Sequence, residues 1–489
     1  MTDRPPLPPQ RDLVDGEWID APLDGVPLVD PDTGEELARS ATSTAETVER
    51  ALAAAARDHA AGRWAECPID ERAVLLLDLA NRLDDMRDEF AAADAFDSGV
   101  PIAVTGMFAA ALAGIVRDAV EHAHTLMRER VLPSPGGDAH LLRLPWGPAA
   151  VLAPFNAPGF TAVKKSAYAL AAGCPVLLKP SQHSPHSAGL LATAMAETIA
   201  AHDAPRALFQ ILHGEAEVGM TLASDRRVRC LTFTGSRRAG RSVASAAAQD
   251  LKALQLECGS NNPAIVCADA DVNAAAEALA LGFTKLNGQW CERPGTVFVA
   301  AQLHDALLDA LRAAIGRLRP GSCLDPATTF GPQANRQQAD AVTGDVRRLE
   351  TLGATAHIAF TDHPSRGCFV RPVVVTGARP ADTIEEIFGP VLVLHAVQDE
   401  AQALELAAHL AGGLAAYVFT ADVQAGVALG ARVAAGEVKI NGASVLDLSP
   451  ESAQSFWNGS GIGGHGNADL LRFFTGTRIV GPDLPGAAL

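Results

Sequence analysis

A chain of 489 residues is too long for one compact core, so two or three domains are expected. With 48% hydrophobic and 20% charged residues it reads as an ordinary globular protein, and a formal net charge of −18 excludes a nucleic-acid or anionic-membrane surface unless a local basic patch intervenes. The basic clusters "SDRRVR" and "GSRRAGR" are short and separated. The opening "MTDRPPLPPQRD" has no apolar signal-peptide core, and no run of about 18 apolar residues offers a membrane span, so a cytoplasmic setting is expected. Eight cysteines lie at 67, 174, 230, 258, 267, 291, 323 and 368 with no CxxC spacing, which suggests neither a metal site nor a disulfide framework.

Residues 1–12 read as a disordered tail. A strand-and-turn region precedes "STAETVERALAAAARDHA", where Ser43 and Glu46 predict a capping box, and "ERAVLLLDLANRLDDMRDEF" sets Leu76, Leu79, Ala80, Leu83 and Met86 on one helical face. Residues 131–144, "VLPSPGGDAHLLRL", read as a hairpin. From 149 to 257, short apolar runs alternate with helical ones, predicting a doubly wound parallel sheet whose ligands bind at the carboxyl ends of its strands. A second alternating block, from about 264 to 442, predicts another α/β domain. "NGSGIGGHGN" (458–467) reads as an irregular loop before a final strand, "RIVGP".

Chemistry concentrates at a few points. "FTGSRRAG", Phe233 to Gly240, could hold a pyrophosphate on the backbone N–H groups of a helix start, or be only a turn. Lys179 in "LLKPSQ" follows a strand and could bond a ribose or phosphate, or simply be solvated. Glu257 ends the apolar run "LQLE", where burial is expected to raise its pKa into the working range of a general base. An amphipathic helix is expected to run up to Asn287, presenting Cys291 of "NGQWCERPG" at its end. Asn156 in "APFNAP" is a neutral donor of the kind that stabilises an oxyanion. A thiol, a carboxylate, an amide and a nucleotide-binding sheet fit attack on a carbonyl, hydride transfer to a nicotinamide and hydrolysis.

"APFNAP", "LLKPSQ", "FTGS", "LECGSNNP", "NGQWC" and "EEIFGP" occur in the order, and near the spacings, of the motifs of the aldehyde dehydrogenase superfamily, and the resemblance covers nearly the whole chain from about residue 15. The resemblance implies an α/β protein: a cofactor-binding domain (13–124 and 145–256), a catalytic domain (257–466) and a small β bridging or oligomerisation element (125–144 and 467–489). It implies Cys291 as nucleophile, Glu257 as the base for the deacylating water, and Asn156 with the Cys291 N–H as oxyanion hole. Lys179 and Glu386 would hold the riboses of NAD or NADP, Phe388 would pack near the nicotinamide ribose and Ser236 would face the pyrophosphate. Pro154, Phe155, Ser181, Gln182, Phe233, Gly235 and Gly240 lie in the same motifs as further cofactor contacts. It also implies a homodimer or homotetramer built through the 131–144 hairpin and the C-terminal strand.

The chain departs from the family pattern in several places. Gln182 stands where a glutamate is common, removing a carboxylate that would repel a 2′-phosphate, so both cofactors stay open. "CERPG" resembles the Pro-Gly variant of ketoglutarate-semialdehyde dehydrogenases, and Thr296 replaces a usual arginine. "SFWNGSGIGGHG" diverges from the family's late loop and leaves His465 near where a glutamate is common. Lys164 and Lys285 stand where many relatives carry aromatic pocket residues; with Trp290 and Phe456 as walls, they suggest a semialdehyde or another anionic aldehyde. The alternative is that the lysines reach solvent or pair with Glu292, leaving a pocket for neutral aldehydes. A CoA-acylating enzyme, a cysteine hydrolase and a non-catalytic protein on the same fold are the other readings; the retained Glu257, the nucleotide motifs, and Cys291, Glu257 and Asn156 together argue against them in turn.

Overall fold

The computed structural model describes residues 4–360, 364, 366–449 and 452–483. Residues 1–3 of the expected tail and 484–489 of the expected C-terminal element lie outside the described residues. Arg11 and Asp12, expected in the tail, belong to β1 (Arg11–Val14), where Asp12 is buried and accepts the His213 N–H at 2.9 Å. β1 pairs with β2 (Glu17–Asp20), and β3 (Pro27–Val29) pairs with β4 (Glu36–Arg39).

Four helices follow: α1 (Ala45–Ala60), α2 (Ile69–Asp85), α3 (Arg87–Ser98) and α4 (Ile102–Leu126). The cap of α1 is Thr44 rather than Ser43: the Thr44 hydroxyl accepts from Thr47 N at 3.1 Å, because the Ser43 hydroxyl is drawn to the buried His213 carbonyl at 2.8 Å. Leu76, Leu79, Ala80 and Leu83 are buried on α2 as their spacing predicts. α4 is long and apolar enough to cross a membrane by length and composition, although its apolar run is interrupted at Arg117 and Asp118. Its buried face, Ala109, Leu112, Ala113, Val116 and Ala123, instead joins the core shared with α2 and α5.

β5 (Arg130–Ser134) and β6 (Gly137–Pro145) form the expected hairpin. Then come β7 (Ala149–Leu152), α5 (Pro158–Ala172), β8 (Val176–Lys179), α6 (His186–Ala201), β9 (Phe209–Ile211), α7 (Ala216–Ser224), β10 (Cys230–Gly235), α8 (Arg237–Ala247) and β11 (Ala253–Cys258). β9-β8-β7-β10-β11 are all parallel, as the alternation predicts. β7, β8 and β9 are buried at every position because helices cover both faces, which is why they read as continuous apolar runs.

The second sheet has the order β14-β15-β16-β13-β12-β17-β18 and is parallel except for its edge strand β14. Its elements are β12 (Asn262–Val266), α9 (Val272–Thr284), β13 (Pro294–Ala300), α10 (His304–Ile315), α11 (Arg336–Thr351), β14 (Thr355–Ile358), β15 (Val373–Thr376), β16 (Val391–Val397), α12 (Glu400–Ala407), β17 (Ala415–Phe419), α13 (Val423–Gly430) and β18 (Glu437–Ile440). The late loop is more ordered than its composition predicts. It contains β19 (Gln454–Ser455), β20 (Gly461–Ile462) and β21 (Gly464–His465) before α14 (Asn467–Phe473) and β22 (Thr475–Val480). β20 adds an antiparallel edge to the first sheet, with Gly461 opposite Glu257, and β22 completes a three-stranded sheet with β6 and β5.

Candidate active site

The loop that carries Cys291 is shaped by its own amides. α9 stops at Thr284 instead of reaching Asn287, because Leu286, Asn287 and Gly288 all take left-handed backbone, with φ of 48°, 58° and 81°. A Cβ at Gly288 would lie 2.1 Å from Pro390 N, so glycine is required there. Asn287 holds the turn by donating to the Gly99 and Pro332 carbonyls at 2.8 and 2.7 Å and accepting from Gly331 N at 2.8 Å. Gln289 donates to Ser98 O at 3.0 Å and accepts from Ala334 N at 3.0 Å. Beyond the thiol, Asn262 donates to the Cys291 and Arg293 carbonyls, both at 2.8 Å. Cys291 is therefore fixed from both sides, and it is half-buried where six of the other seven cysteines are buried.

β11 delivers Glu257 to this thiol: Cys291 Sγ donates to Glu257 Oε1 at 3.3 Å, and Thr234 Oγ1 donates to Oε2 at 3.3 Å. His465 Nε2 stands 3.3 Å from the same Oε1, with its ring edge-on to Phe456 at 4.8 Å between centroids. Lys165 donates to Gln255 Oε1 at 2.7 Å, and Gln255 Nε2 donates to Gly464 O at 2.7 Å, tying α5, β11 and the late loop together. The expected rise in the Glu257 pKa does not occur. Burial pushes it up, but the charge and hydrogen bond of His465, the charge of Lys165 and the Cys291 thiol together hold it well below the usual carboxylate range. The Cys291 thiol is pushed well up, by burial and then by the charges of Glu257 and Glu292, so proton and carboxylate face each other across the short contact. Lys165 was not singled out from sequence, although it shares the buried face of α5 with Ala162 and Ala169, a signal that helical spacing contains.

Asn156 Nδ2 donates to Gln289 O at 2.8 Å, which sets it against the Cys291 loop with a second N–H to spare. Pro154 is buried, and Phe155 meets Phe388 edge-on at 5.9 Å. At the end of β8, Lys179 is buried, donates to Pro180 O at 2.9 Å and is pushed down to about 8 by burial. Ser181 accepts from His183 N at 3.2 Å, beside the half-buried Gln182. Ser236 caps α8 by accepting from Ala239 N at 3.3 Å; Phe233 and Gly235 precede it on β10, and Gly240 lets α8 approach Cys258, whose Sγ would be 2.4 Å from a Cβ there. Glu386 Oε1 is enclosed with no hydrogen-bond partner, and burial raises its carboxyl to about 7. Enclosed donors on Lys179 and an unpartnered acceptor on Glu386 fit a bound polyol such as a ribose. Buried Arg293, unforeseen from sequence, opposes that rise while donating to Val391 O at 2.8 Å.

On the far side of Cys291, Trp290 packs with Val100, Leu286, Val104, Phe108 and Val445. Lys285 Nζ lies 5.2 Å from the centre of the Trp290 ring, and Lys164 Nζ lies 6.0 Å from that of Phe160. The buried acid Glu292 is paired not with Lys285 but with Lys439, at 4.0 Å, which sequence did not suggest; Lys439 also meets Glu437 at 2.9 Å. Lys285 is pushed down to about 8 by burial and by Lys439, and its hydrogen bond is a long one, 3.5 Å, to Ala443 O.

The family model described as "Aldehyde dehydrogenase family" matches residues 18–480. Glutarate-semialdehyde dehydrogenase of Pseudomonas aeruginosa is 30% identical over 439 residues, 88% of this chain and 89% of that one. Betaine aldehyde dehydrogenase of Cereibacter sphaeroides is 30% identical over 460 residues, 93% of each. The crystal structure of an NAD-dependent aldehyde dehydrogenase from Sinorhizobium meliloti superposes with a TM-score of 0.89 at 28% identity, covering 98% of this chain and 96% of that one. With its fold, its motifs and these matches in agreement over nearly its full length, the chain belongs to the aldehyde dehydrogenase family of oxidoreductases.

Proposed function

We propose that this protein oxidises an anionic aldehyde to its carboxylic acid with NAD or NADP, using Cys291 as nucleophile, Glu257 as base and Asn156 as oxyanion donor. The observation that carries the reading is the 3.3 Å contact between Cys291 Sγ and Glu257 Oε1 on a loop that Asn156 also touches. Glu257 takes the thiol proton as sulfur bonds to the carbonyl carbon, and the carbonyl electron pair moves to oxygen, where Asn156 and the Cys291 N–H donate. When bound, the nicotinamide supplies the acceptor for the hydride that leaves this carbon, and the carbonyl re-forms as a thioester on Cys291. Once the thiol proton has passed from Glu257 to solvent, Glu257 takes a proton from water as the water oxygen attacks the thioester; the C–S bond breaks, the acid departs and Glu257 returns its proton to sulfur. Lys179 and Glu386 would hold ribose hydroxyls, the first N–H groups of α8 would receive the pyrophosphate, and Phe155 and Phe388 would border the nicotinamide end. Gln182 carries no charge to turn a 2′-phosphate away, which supports either nucleotide.

The relatives' names give substrates of opposite charge at equal identity, a semialdehyde with a carboxylate and a betaine with a quaternary ammonium. The choice therefore rests on the site. A half-buried ammonium in an apolar wall, with its nearby acid engaged by Lys439, is stabilised by an anionic substrate group and destabilised by a cationic one. Lys285→Met should raise KM for a semialdehyde by about tenfold or more and leave a neutral aldehyde of equal length nearly unchanged, with a smaller effect from Lys164→Met. Equal effects on both substrates would refute the anionic reading. Cys291→Ala should abolish NAD(P)H production while cofactor binding persists; turnover in that variant would refute the mechanism.

The same reading includes a homodimer or homotetramer, supported by the strands β5, β6 and β22, which expose Val131, Ile479 and Val480 along one small sheet. A monomeric mass by light scattering at micromolar concentration would overturn it. A reducing cytoplasmic setting suits eight free thiols.

A further inference from the structure

α5 and α6 open at the carboxyl ends of β7 and β8, and neither is capped by its own sequence. The residues preceding them, Ala157 and Pro185, make no side-chain cap bond. Both caps come instead from one turn of α3. Asp94 Oδ1 accepts from Gly159 N at 3.1 Å, and Asp97 accepts from His186 N at 2.9 Å and from His186 Nδ1 at 2.6 Å. Three residues apart, the two carboxylates share one face of α3, and both are buried, at 4% and 5% exposure. Burial raises the Asp94 carboxyl to about 7. The approach at α5 is close enough that a Cβ on Gly159 would lie 2.9 Å from Asp94 Oδ2.

The same turn reaches the nucleophile loop. The next carbonyls along, Ser98 O and Gly99 O, accept from Gln289 at 3.0 Å and from Asn287 at 2.8 Å. Ser184 Oγ, just before α6, donates to Phe155 O at 3.0 Å and closes the ring between the two capped turns. Three loops that must agree in position, those of Asn156, of Ser181–Gln182 and of Cys291, are thus referred to residues 94–99, which touch none of the reacting atoms.

We propose that Asp94 and Asp97 are positioning residues that register the oxyanion turn and the ribose turn against the nucleophile loop, Asp94 acting on Asn156 through α5 and Asp97 on the cofactor turn through α6. Each is a hydrogen-bond acceptor for an otherwise unsatisfied helix N-terminus. The inference rests on the assignment of Asn156 and of the 181–182 turn made above.

The test separates the two arms. Cofactor affinity is measured by fluorescence titration, acylation by the NAD(P)H burst at saturating cofactor, and stability by thermal melting. Asp94→Ala should slow the burst by about tenfold with cofactor Kd changed less than about twofold, while Asp94→Asn, which keeps an acceptor oxygen, should stay within about threefold of the unaltered protein. Asp97→Ala should weaken cofactor binding by about tenfold with a smaller effect on the saturated burst. Gly159→Ala, which disturbs the same contact from the other side, should reproduce the selective burst loss if Asp94→Ala fails to fold. Loss of burst and of affinity in one common proportion, tracking the melting temperature in all variants, would overturn the proposal, as would Ala variants that change neither. If the unaltered protein gave no burst with any aldehyde, the functional reading would fall, and the Asp97 arm, which needs no turnover, would still decide this inference.

Discussion

Glu257 and Glu386 are two carboxylates whose pKa values burial pushes upward, and they end in opposite states. At the catalytic face, Glu257 lies against His465 and within the field of Lys165, and it is held well below its ordinary range. At the face proposed to hold the ribose, Glu386 feels the charge of Arg293 and receives the Ser260 N–H, which do not cancel its burial, so it settles at about 7. Depth in the protein does not decide whether a carboxyl is charged. The partners that face it do. A low pKa also has a cost in chemistry: an ionised Glu257 is ready to accept a proton, but while His465 holds it, it is a weak base.

The largest expected effect tests whether Glu257 works as a base at all. Glu257→Gln should slow steady turnover by about 10²- to 10⁴-fold and the first turnover by much less, because the thioester loses its water-activating group while the thiol loses only the acceptor of its proton. The trace to record is NAD(P)H absorbance on mixing with excess aldehyde. A burst that fell together with the steady rate would assign Glu257 to the thiol or to structure alone.

His465→Phe keeps a ring against Phe456 but removes the imidazole, leaving burial opposed by Lys165, and Glu257 should then move toward the behaviour of Glu386. The ionised Glu257 favours the folded state above its ordinary pKa of 4.5, and this contribution is lost as pH falls through the lower folded value. In the variant, the acid limb of kcat should rise by about one pH unit or more. An unchanged pH–kcat profile would mean that the pair seen here plays no part in turnover.

Why the sequence misjudged Glu257 is visible in where its partners come from. β11 was legible, since "ALQLEC" is a buried run between two helical segments, and the motifs correctly gathered Cys291, Glu257 and Asn156 into one place. The imidazole beside Glu257 arrives on β21, next to β20, both two-residue strands in a Gly-rich loop whose composition predicts no pairing at all. The end of α9 was missed for a similar reason: local preference continues the helix through Leu286, and only contacts from residues 99, 331 and 332 make the left-handed turn affordable. Apolar periodicity carries the sheets, short motifs carry the reacting groups, and the electrostatic state of those groups depends on pairings remote in sequence.

On the ribose face, glycine rather than charge sets the arrangement. A Cβ at position 259 would fall 1.9 Å from Glu386 Oε2, so Gly259→Ala should drive the carboxylate out of its place and weaken cofactor binding by about tenfold, with little change in the saturated burst rate. Kd by fluorescence titration measures it. Unaltered affinity would show that Glu386 does not bear on the cofactor.

The smallest effect is the most specific to the contrast. A carboxyl at about 7 is neutral in acid and ionised in mild alkali, and only the ionised form offers both oxygens as charge-assisted acceptors to ribose hydroxyls. Binding therefore favours the charged form, lowers the pKa and releases a proton, so cofactor Kd should fall by about three- to tenfold as pH rises from about 6 to about 8 and then level off. Glu386→Gln should bind more weakly at high pH and show a flat profile across the same range. No group with the low pKa of Glu257 could produce this dependence, since it is ionised throughout that window. A Kd for the unaltered protein that is constant from about pH 6 to about pH 8 would place Glu386 in the same electrostatic class as Glu257 and remove the contrast between the two faces.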